Sequence, residues 1–175
     1  GELKYQPAAE TISGFAAGGN ELSKKHALWS LALIADAGSY DVLVRQAKNV
    51  GFKNDPSEAT HALVEYMHQL AAKGNTDLIL KVSQDILTNT LEPTQQHFRL
   101  AALKAMTMAS PDESTKTLLK EMNRFDIGYQ KEVLKVASLN VKDAGATKQW
   151  TKAYKKNTDR AADILSMLAK VNRSD

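Results

Sequence analysis

Three of the four histidines recur at nearly even spacing and are the first candidates for metal ligands. His26, His61 and His97 are 35 and 36 residues apart, and each precedes an apolar segment. If these segments are equivalent helices packed side by side, neighbouring imidazoles should lie about 8 to 10 Å apart. A Zn²⁺ ion needs each ligand about 2 Å away, so this spacing does not allow chelation. We therefore expect no metal and no cofactor, and we interpret the histidines as residues of a repeated helix.

A stripe of lysines is the second candidate, for contacts with phosphate groups. Residues 126–175 carry 10 Lys and Arg against 6 Asp and Glu, whereas residues 1–125 carry 13 against 14, so the net charge of +3 arises near the C-terminus. At 100° per residue, one face of a helix there holds Lys148, Lys152 and Lys155, and the opposite side holds Trp150 and Tyr154. Aromatic rings that point into a core cannot stack on bases. The three lysines are the only binding residues that we nominate, and nucleic acid is the alternative partner.

Motifs for catalysis do not occur in the chain. It has no Cys, and none of its serines lies in a Gly-x-Ser-x-Gly elbow. Phosphate loops, dinucleotide fingerprints and calcium loops are missing as well. We expect no catalytic residues and a protein that is not an enzyme.

The elements that must position these residues are predicted to be helices throughout. Each proline precedes a periodic apolar stretch, and Asp55–Glu58 and Ser110–Glu113 both fit a capping box with proline at the first helical position. Gly18-Gly19, Gly38 and Gly74 follow such stretches, where a left-handed residue commonly closes a helix. About ten helices are predicted, at 8–17, 21–37, 40–51, 56–73, 76–88, 93–109, 112–124, 127–140, 144–156 and 158–171. Residues 1–7 are predicted to be an N-terminal arm or linker, and no apolar run is long enough to span a membrane.

Comparison of the chain with itself indicates an internal repeat. His26–Trp29 recurs as His61–Val64 and His97–Leu100, with a weaker fourth copy at Gln130–Val133. Three positions, spaced by three residues, stay apolar in all four copies, which predicts one inward helix face. They are Trp29/Val64/Leu100/Val133, Ala32/Met67/Leu103/Val136 and Ala35/Leu70/Met106/Leu139. A period of 33 to 36 residues built from two helices predicts an all-α fold, a right-handed α-solenoid of antiparallel helix pairs.

The third copy resembles the first helix of HEAT-like repeats. Its sequence, His97–Met106, is similar to the apolar-Arg-x-x-Ala-Ala pattern of that family, although the other copies lack the Arg. The resemblance covers about residues 21–157 and implies one helical repeat domain over residues 8–175, within a larger protein. It also implies a non-catalytic scaffold or interaction module whose partner is a protein or another domain of the same chain. Tetratricopeptide repeats have a similar period, but their Trp, Gly and Tyr framework is absent.

Two further resemblances concern the context of the domain. Similar helical domains are appended to secreted bacterial proteins with a sugar-hydrolase-like domain, and the chain starts at Gly1 without a Met. A secreted or periplasmic location is therefore favoured over a cytoplasmic one. The alternative is a resemblance to HEAT-like alkylpurine DNA glycosylases, acting through the lysine stripe. Trp29 and Trp150, the two indoles available to such a site, are three repeats apart.

Overall fold

The regular structure of the chain is helical. The computed structural model describes residues 8–139, 141, 144–156 and 158–171, and within these residues there are ten α-helices and no strand. The helices are α1 (Ala9–Gly18), α2 (Glu21–Ile34), α3 (Tyr40–Asn49), α4 (Ala59–Ala72), α5 (Thr76–Asn89), α6 (Gln96–Ala109), α7 (Pro111–Glu121), α8 (Ile127–Ser138), α9 (Ala144–Lys156) and α10 (Ala161–Val171). The all-α prediction is confirmed. The arm predicted at residues 1–7 lies outside the described residues.

The chain divides into two compact units, Gly1–Ala105 (unit 1) and Met106–Asp175 (unit 2). In unit 1, α2 packs against α1 and α4, and α3 packs against α4 and α5. The core between these helices is mostly aliphatic, and its buried aromatic residues are Tyr40, Phe52, Tyr66 and Phe98. Its largest fully buried apolar side chains are Leu28, Leu31, Ile34, Leu43, Phe52, Leu63, Tyr66, Met67, Leu70 and Ile86.

Long polar side chains close the ends of helices in unit 1. The Lys73 ammonium donates to the carbonyl oxygens of Ile34 and Ala35, at 2.7 and 3.0 Å. The Gln95 amide donates to those of Gly51 and Phe52, at 2.8 and 3.0 Å. The Lys73 bonds satisfy carbonyl groups at the end of α2, and the Gln95 bonds satisfy those of the turn that follows α3.

In unit 2, α7 packs against α8 and α9, and α10 packs against the same two helices. The core is centred on Trp150, which is 1% exposed, with Leu118, Met122 and Ile164 also buried. Every helix among the described residues of the chain is too short or too polar to cross a lipid bilayer.

Helix ends depart from the predictions where a non-glycine residue takes the left-handed conformation. α2 ends at Ile34 instead of residue 37, because Ala35 has φ 49° and closes the helix. Gly38, predicted for that role, lies in a 3-10 turn. Gly74 does have φ +68°, as predicted, whereas Gly19 has φ −71°. The predicted left-handed residue is therefore right at Gly74 and wrong at Gly19 and Gly38.

The two predicted capping boxes have different outcomes. Pro111 is indeed the first residue of α7, although the Ser110 side chain forms no capping hydrogen bond. The other prediction is wrong, since α4 begins at Ala59 and not at Pro56.

In the first three copies of the repeat, two of the three positions predicted to face inward are buried. Ala32, Met67 and Leu103 are buried, and so are their counterparts Ala35, Leu70 and Met106. In the fourth copy the corresponding Leu139 is 55% exposed and directly follows α8, which ends at Ser138. The single repeat domain over residues 8–175 remains a prediction.

Candidate functional site

Six side chains of different chemistry lie together in unit 1, on α2, at the start of α4 and on α6. The group contains an ammonium, an indole, a carboxylate, two imidazoles and a phenyl ring. We call it the Glu58 cluster, and its members are Lys25, Trp29, Glu58, His61, His97 and Phe98.

A tight turn before α4 sets the position of Glu58. The Asp55 carboxylate accepts hydrogen bonds from the Ser57 backbone N–H at 2.8 Å, from the Ser57 hydroxyl and from the Ala59 backbone N–H at 3.1 Å. This local network competes with helix formation, and a residue that precedes proline also avoids the helical conformation. Glu58 is consequently the N-cap residue of α4 and has φ 52°. Such a conformation costs a non-glycine residue about 1 kcal/mol or more.

The carboxylate of Glu58 connects α4 to α2. One of its oxygens accepts a hydrogen bond from the Lys25 ammonium at 2.6 Å, and the other accepts one from the Trp29 indole at 2.8 Å. The Lys25 ammonium, the Trp29 indole and the charge of His61 together hold the pKa of Glu58 below its usual range. The Lys25 and Glu58 side chains are 36% and 34% exposed, so the pair lies at the surface.

The imidazoles of His61 and His97 lie beside this network. Their ring centres are 6.3 Å apart, closer than the 8 to 10 Å expected from helix spacing. Both rings contact Phe98, with ring centres at 5.0 Å from His61 and 3.9 Å from His97. Desolvation lowers the pKa of His97, and the neighbouring His61 lowers it further. The Nδ1 atom of His61 is buried and has no hydrogen-bond partner among the described residues.

The other two histidines stand apart from this pair. His26 and His68 are both exposed, and the Nδ1 atom of His68 lies 3.7 Å from a Glu65 oxygen on the same helix. In the described part of the chain, no group of three or more His, Asp or Glu side chains is arranged to hold a metal ion.

The lysine stripe lies on α9 of unit 2. Lys148, Lys152 and Lys155 are all exposed, on a face away from the buried Trp150, as the sequence predicts. Tyr154 differs from the prediction, since 36% of it is exposed and it does not lie in the core.

Two shallow grooves open on the surface of unit 2. One, of about 390 Å³, lies between α7 and α9 and is bordered by Lys152 and Lys156 over a floor that includes Met122. The other, of about 200 Å³, lies between α8 and α10 and has Lys131, Lys135 and Lys170 on its rim. Since α9 contributes to the first groove, one residue of the lysine stripe borders a concave surface.

Sequence reasoning missed Lys25 and Glu58. It placed Glu58 at the third position of a helix, where its carboxylate would cap its own helix. The Asp55-Pro56-Ser57 sequence is also compatible with the observed turn. An Asp side chain accepts a hydrogen bond from the backbone N–H two residues later as readily as it caps a helix. The partner on α2 could not be inferred, since Lys25 and Glu58 are 33 residues apart.

No family model, no curated protein and no solved structure matches this chain. The geometry described above is therefore the basis for a functional assignment.

Proposed function

We propose that this chain is a non-catalytic interaction module, a HEAT-like α-solenoid of antiparallel helix pairs that binds a protein partner through the Glu58 cluster. The partner is a separate protein or another domain of a larger polypeptide.

The packing within unit 1 is compatible with stacked helix pairs. α2 contacts α4, α3 contacts α5, and α3 contacts α4. Successive first helices of a solenoid would contact each other in this way, as would successive second helices. Side chains from α2, α4 and α6 would then share one continuous surface.

The observation that carries the proposal is the double hydrogen bond from Glu58 to Lys25 and Trp29. The carboxylate is neutralised by the ammonium and is held in one orientation by the indole. A carboxylate fixed in this way is a poor general base, because its pKa is lowered. A rigid, partly exposed indole surrounded by polar groups is instead typical of the anchors of protein interfaces.

Site-specific photo-crosslinking tests this proposal. A photoreactive residue replaces His97 in the cluster or, as a control, Arg45, which is exposed on α3. The full chain is irradiated in extract from its source cells, and crosslinked products are identified by mass spectrometry. We expect one recurrent protein product from position 97 and not from position 45.

A charge reversal provides the matched variant. Lys25→Glu places a second negative charge beside Glu58 and should abolish the crosslink from position 97, whereas Arg45→Glu should not. The proposal fails if the same products form from both positions, or if Lys25→Glu leaves the crosslink unchanged while circular dichroism shows a folded chain.

Exposure of the lysines favours a second candidate function, nucleic-acid binding through α9. Lys148, Lys152 and Lys155 are exposed, and within the described part of the chain none of them pairs with an acidic side chain. Each phosphate contact releases a counterion, so duplex affinity measured by fluorescence anisotropy should fall steeply with salt. Replacing the three lysines by Gln should flatten this dependence, and Lys116→Gln on α7 should not. Absence of binding, or binding that is insensitive to salt, removes this candidate.

A further inference from the structure

Two imidazoles from different helices lie close together, and this proximity allows a function beyond the proposed protein interaction. We propose that His61 and His97 form a two-histidine site for a divalent transition metal such as Cu²⁺, with water completing the coordination. Both residues also belong to the Glu58 cluster, but metal binding requires only the two imidazoles and no protein partner.

The distance between the rings is close to what one shared ion requires. With metal–nitrogen bonds of about 2 Å, two imidazoles in adjacent positions on one ion place their ring centres roughly 4.5 Å apart in tetragonal geometry and roughly 5 Å apart in tetrahedral geometry. The observed separation is 6.3 Å, with an angle of 34° between the ring planes. A movement of about 1 to 2 Å therefore closes the site, and the broad χ2 torsion of histidine allows it.

The two rings differ in burial. His61 is half-buried and meets Phe98 edge-on, with ring centres 5.0 Å apart and ring planes at 77°. His97 is exposed, so an ion can reach its ring from the solvent side.

One nitrogen of His61 has no hydrogen-bond partner among the described residues. This is its buried Nδ1 atom, and a metal–nitrogen bond at this atom would supply a partner.

The ligand set determines which ion should bind most tightly. The chain has no cysteine, so no thiolate can direct the site towards soft ions. Imidazole and water ligands suit Cu²⁺, Ni²⁺ and Zn²⁺, and Cu²⁺ binds most tightly among divalent first-row ions. It is therefore the ion with which to probe the site.

The test is a titration of the full chain with Cu²⁺ at pH 7.4, followed by calorimetry and by electron paramagnetic resonance. We expect one site that is tighter than any other, with splitting from two nitrogen ligands. His61→Ala and His97→Ala should each weaken that site by about tenfold or more, since even loss of an outer-shell partner costs 10- to 100-fold in affinity.

His26→Ala and His68→Ala are the matched controls, because they remove exposed histidines outside the pair. Both should retain the tight site and the two-nitrogen spectrum. Because His97 is exposed, its variant should fold even if His61→Ala does not, and circular dichroism checks this. Equal affinity in wild type and His97→Ala, or loss of the tight site in His26→Ala or His68→Ala, overturns the proposal.

Discussion

The guanidinium of Arg99 on α6 donates a hydrogen bond to the carbonyl oxygen of Leu87 at the end of α5, at 2.6 Å. The same nitrogen also donates to the backbone carbonyl and the hydroxyl of Thr90. Arg99 is 1% exposed, so its charge lies in the interior against the negative end of the α5 dipole. The arginine that suggested a HEAT-like motif thus joins two consecutive helices.

Arg99→Met should destabilise the chain by roughly 2 to 4 kcal/mol, because buried carbonyl groups at the end of α5 lose their donor. Arg99→Lys should cost less, since an ammonium still reaches one of the acceptors. Urea denaturation measures both changes. Lys104→Met, at an exposed position of the same helix, should lie within about 0.5 kcal/mol of wild type. If Arg99→Met also changed the free energy of unfolding by so little, the hydrogen bonds of Arg99 would contribute little to stability.

The Trp29 indole N–H should report the titration of Glu58. The pKa of Glu58 is lowered in the folded chain, so its contribution to stability is present above the ordinary glutamate pKa and is lost as the pH falls through the lowered value. In ¹H–¹⁵N spectra, the Trp29 indole signal should move with a midpoint below about 4.3, the usual pKa of glutamate.

Glu58→Gln should abolish this movement, and the indole signal of the buried Trp150 should stay constant in both proteins. A midpoint at the ordinary glutamate value would mean that the contacts with Lys25 and Trp29 do not persist in solution.

Two Gly→Ala substitutions should change stability in opposite directions. Gly14 is exposed within α1 and an added Cβ would meet nothing within 4 Å, so Gly14→Ala should stabilise by about 1 kcal/mol through helix propensity. Gly74 is equally open but has φ +68°, so Gly74→Ala should destabilise by about 1 kcal/mol through backbone strain alone. Thermal denaturation measures both, and changes of the same sign would contradict the backbone conformation at one position.

Tyr40→Phe should destabilise the chain by about 1 kcal/mol at neutral pH, because the Tyr40 hydroxyl donates a hydrogen bond to Asp85. Burial, followed by the hydrogen bond to Asp85, raises the pKa of Tyr40. Its contribution to stability should therefore be complete below about pH 10, the usual tyrosine pKa, and should decline above it.

Denaturation midpoints between about pH 9 and 12 should consequently fall more steeply in wild type than in Tyr40→Phe, with the difference developing above about pH 10. Tyr154→Phe, at a position 36% exposed, is the control and should behave as wild type. Parallel curves for wild type and Tyr40→Phe would exclude a raised Tyr40 pKa.

The helical content and the order of the elements could be predicted from the sequence because they depend on local signals. α9 begins and ends where the apolar period predicts, and Pro111 starts α7 as its missing N–H favours. The burial of Ala32, Met67 and Leu103 follows from the same period. Helix ends were less predictable, because Ala35 and Glu58 take a left-handed conformation that their residue types disfavour.

The candidate site was not predictable, for a physical reason. Hydrophobic periodicity determines which face of a helix is buried, but it does not determine the distance between polar side chains on neighbouring helices. The turn at Asp55, stabilised by hydrogen bonds to the residues that follow it, directs Glu58 towards Lys25 and Trp29. The sequence alone therefore determined an all-helical chain with an internal repeat, whereas the tertiary structure decided which charged and aromatic groups lie within hydrogen-bonding distance.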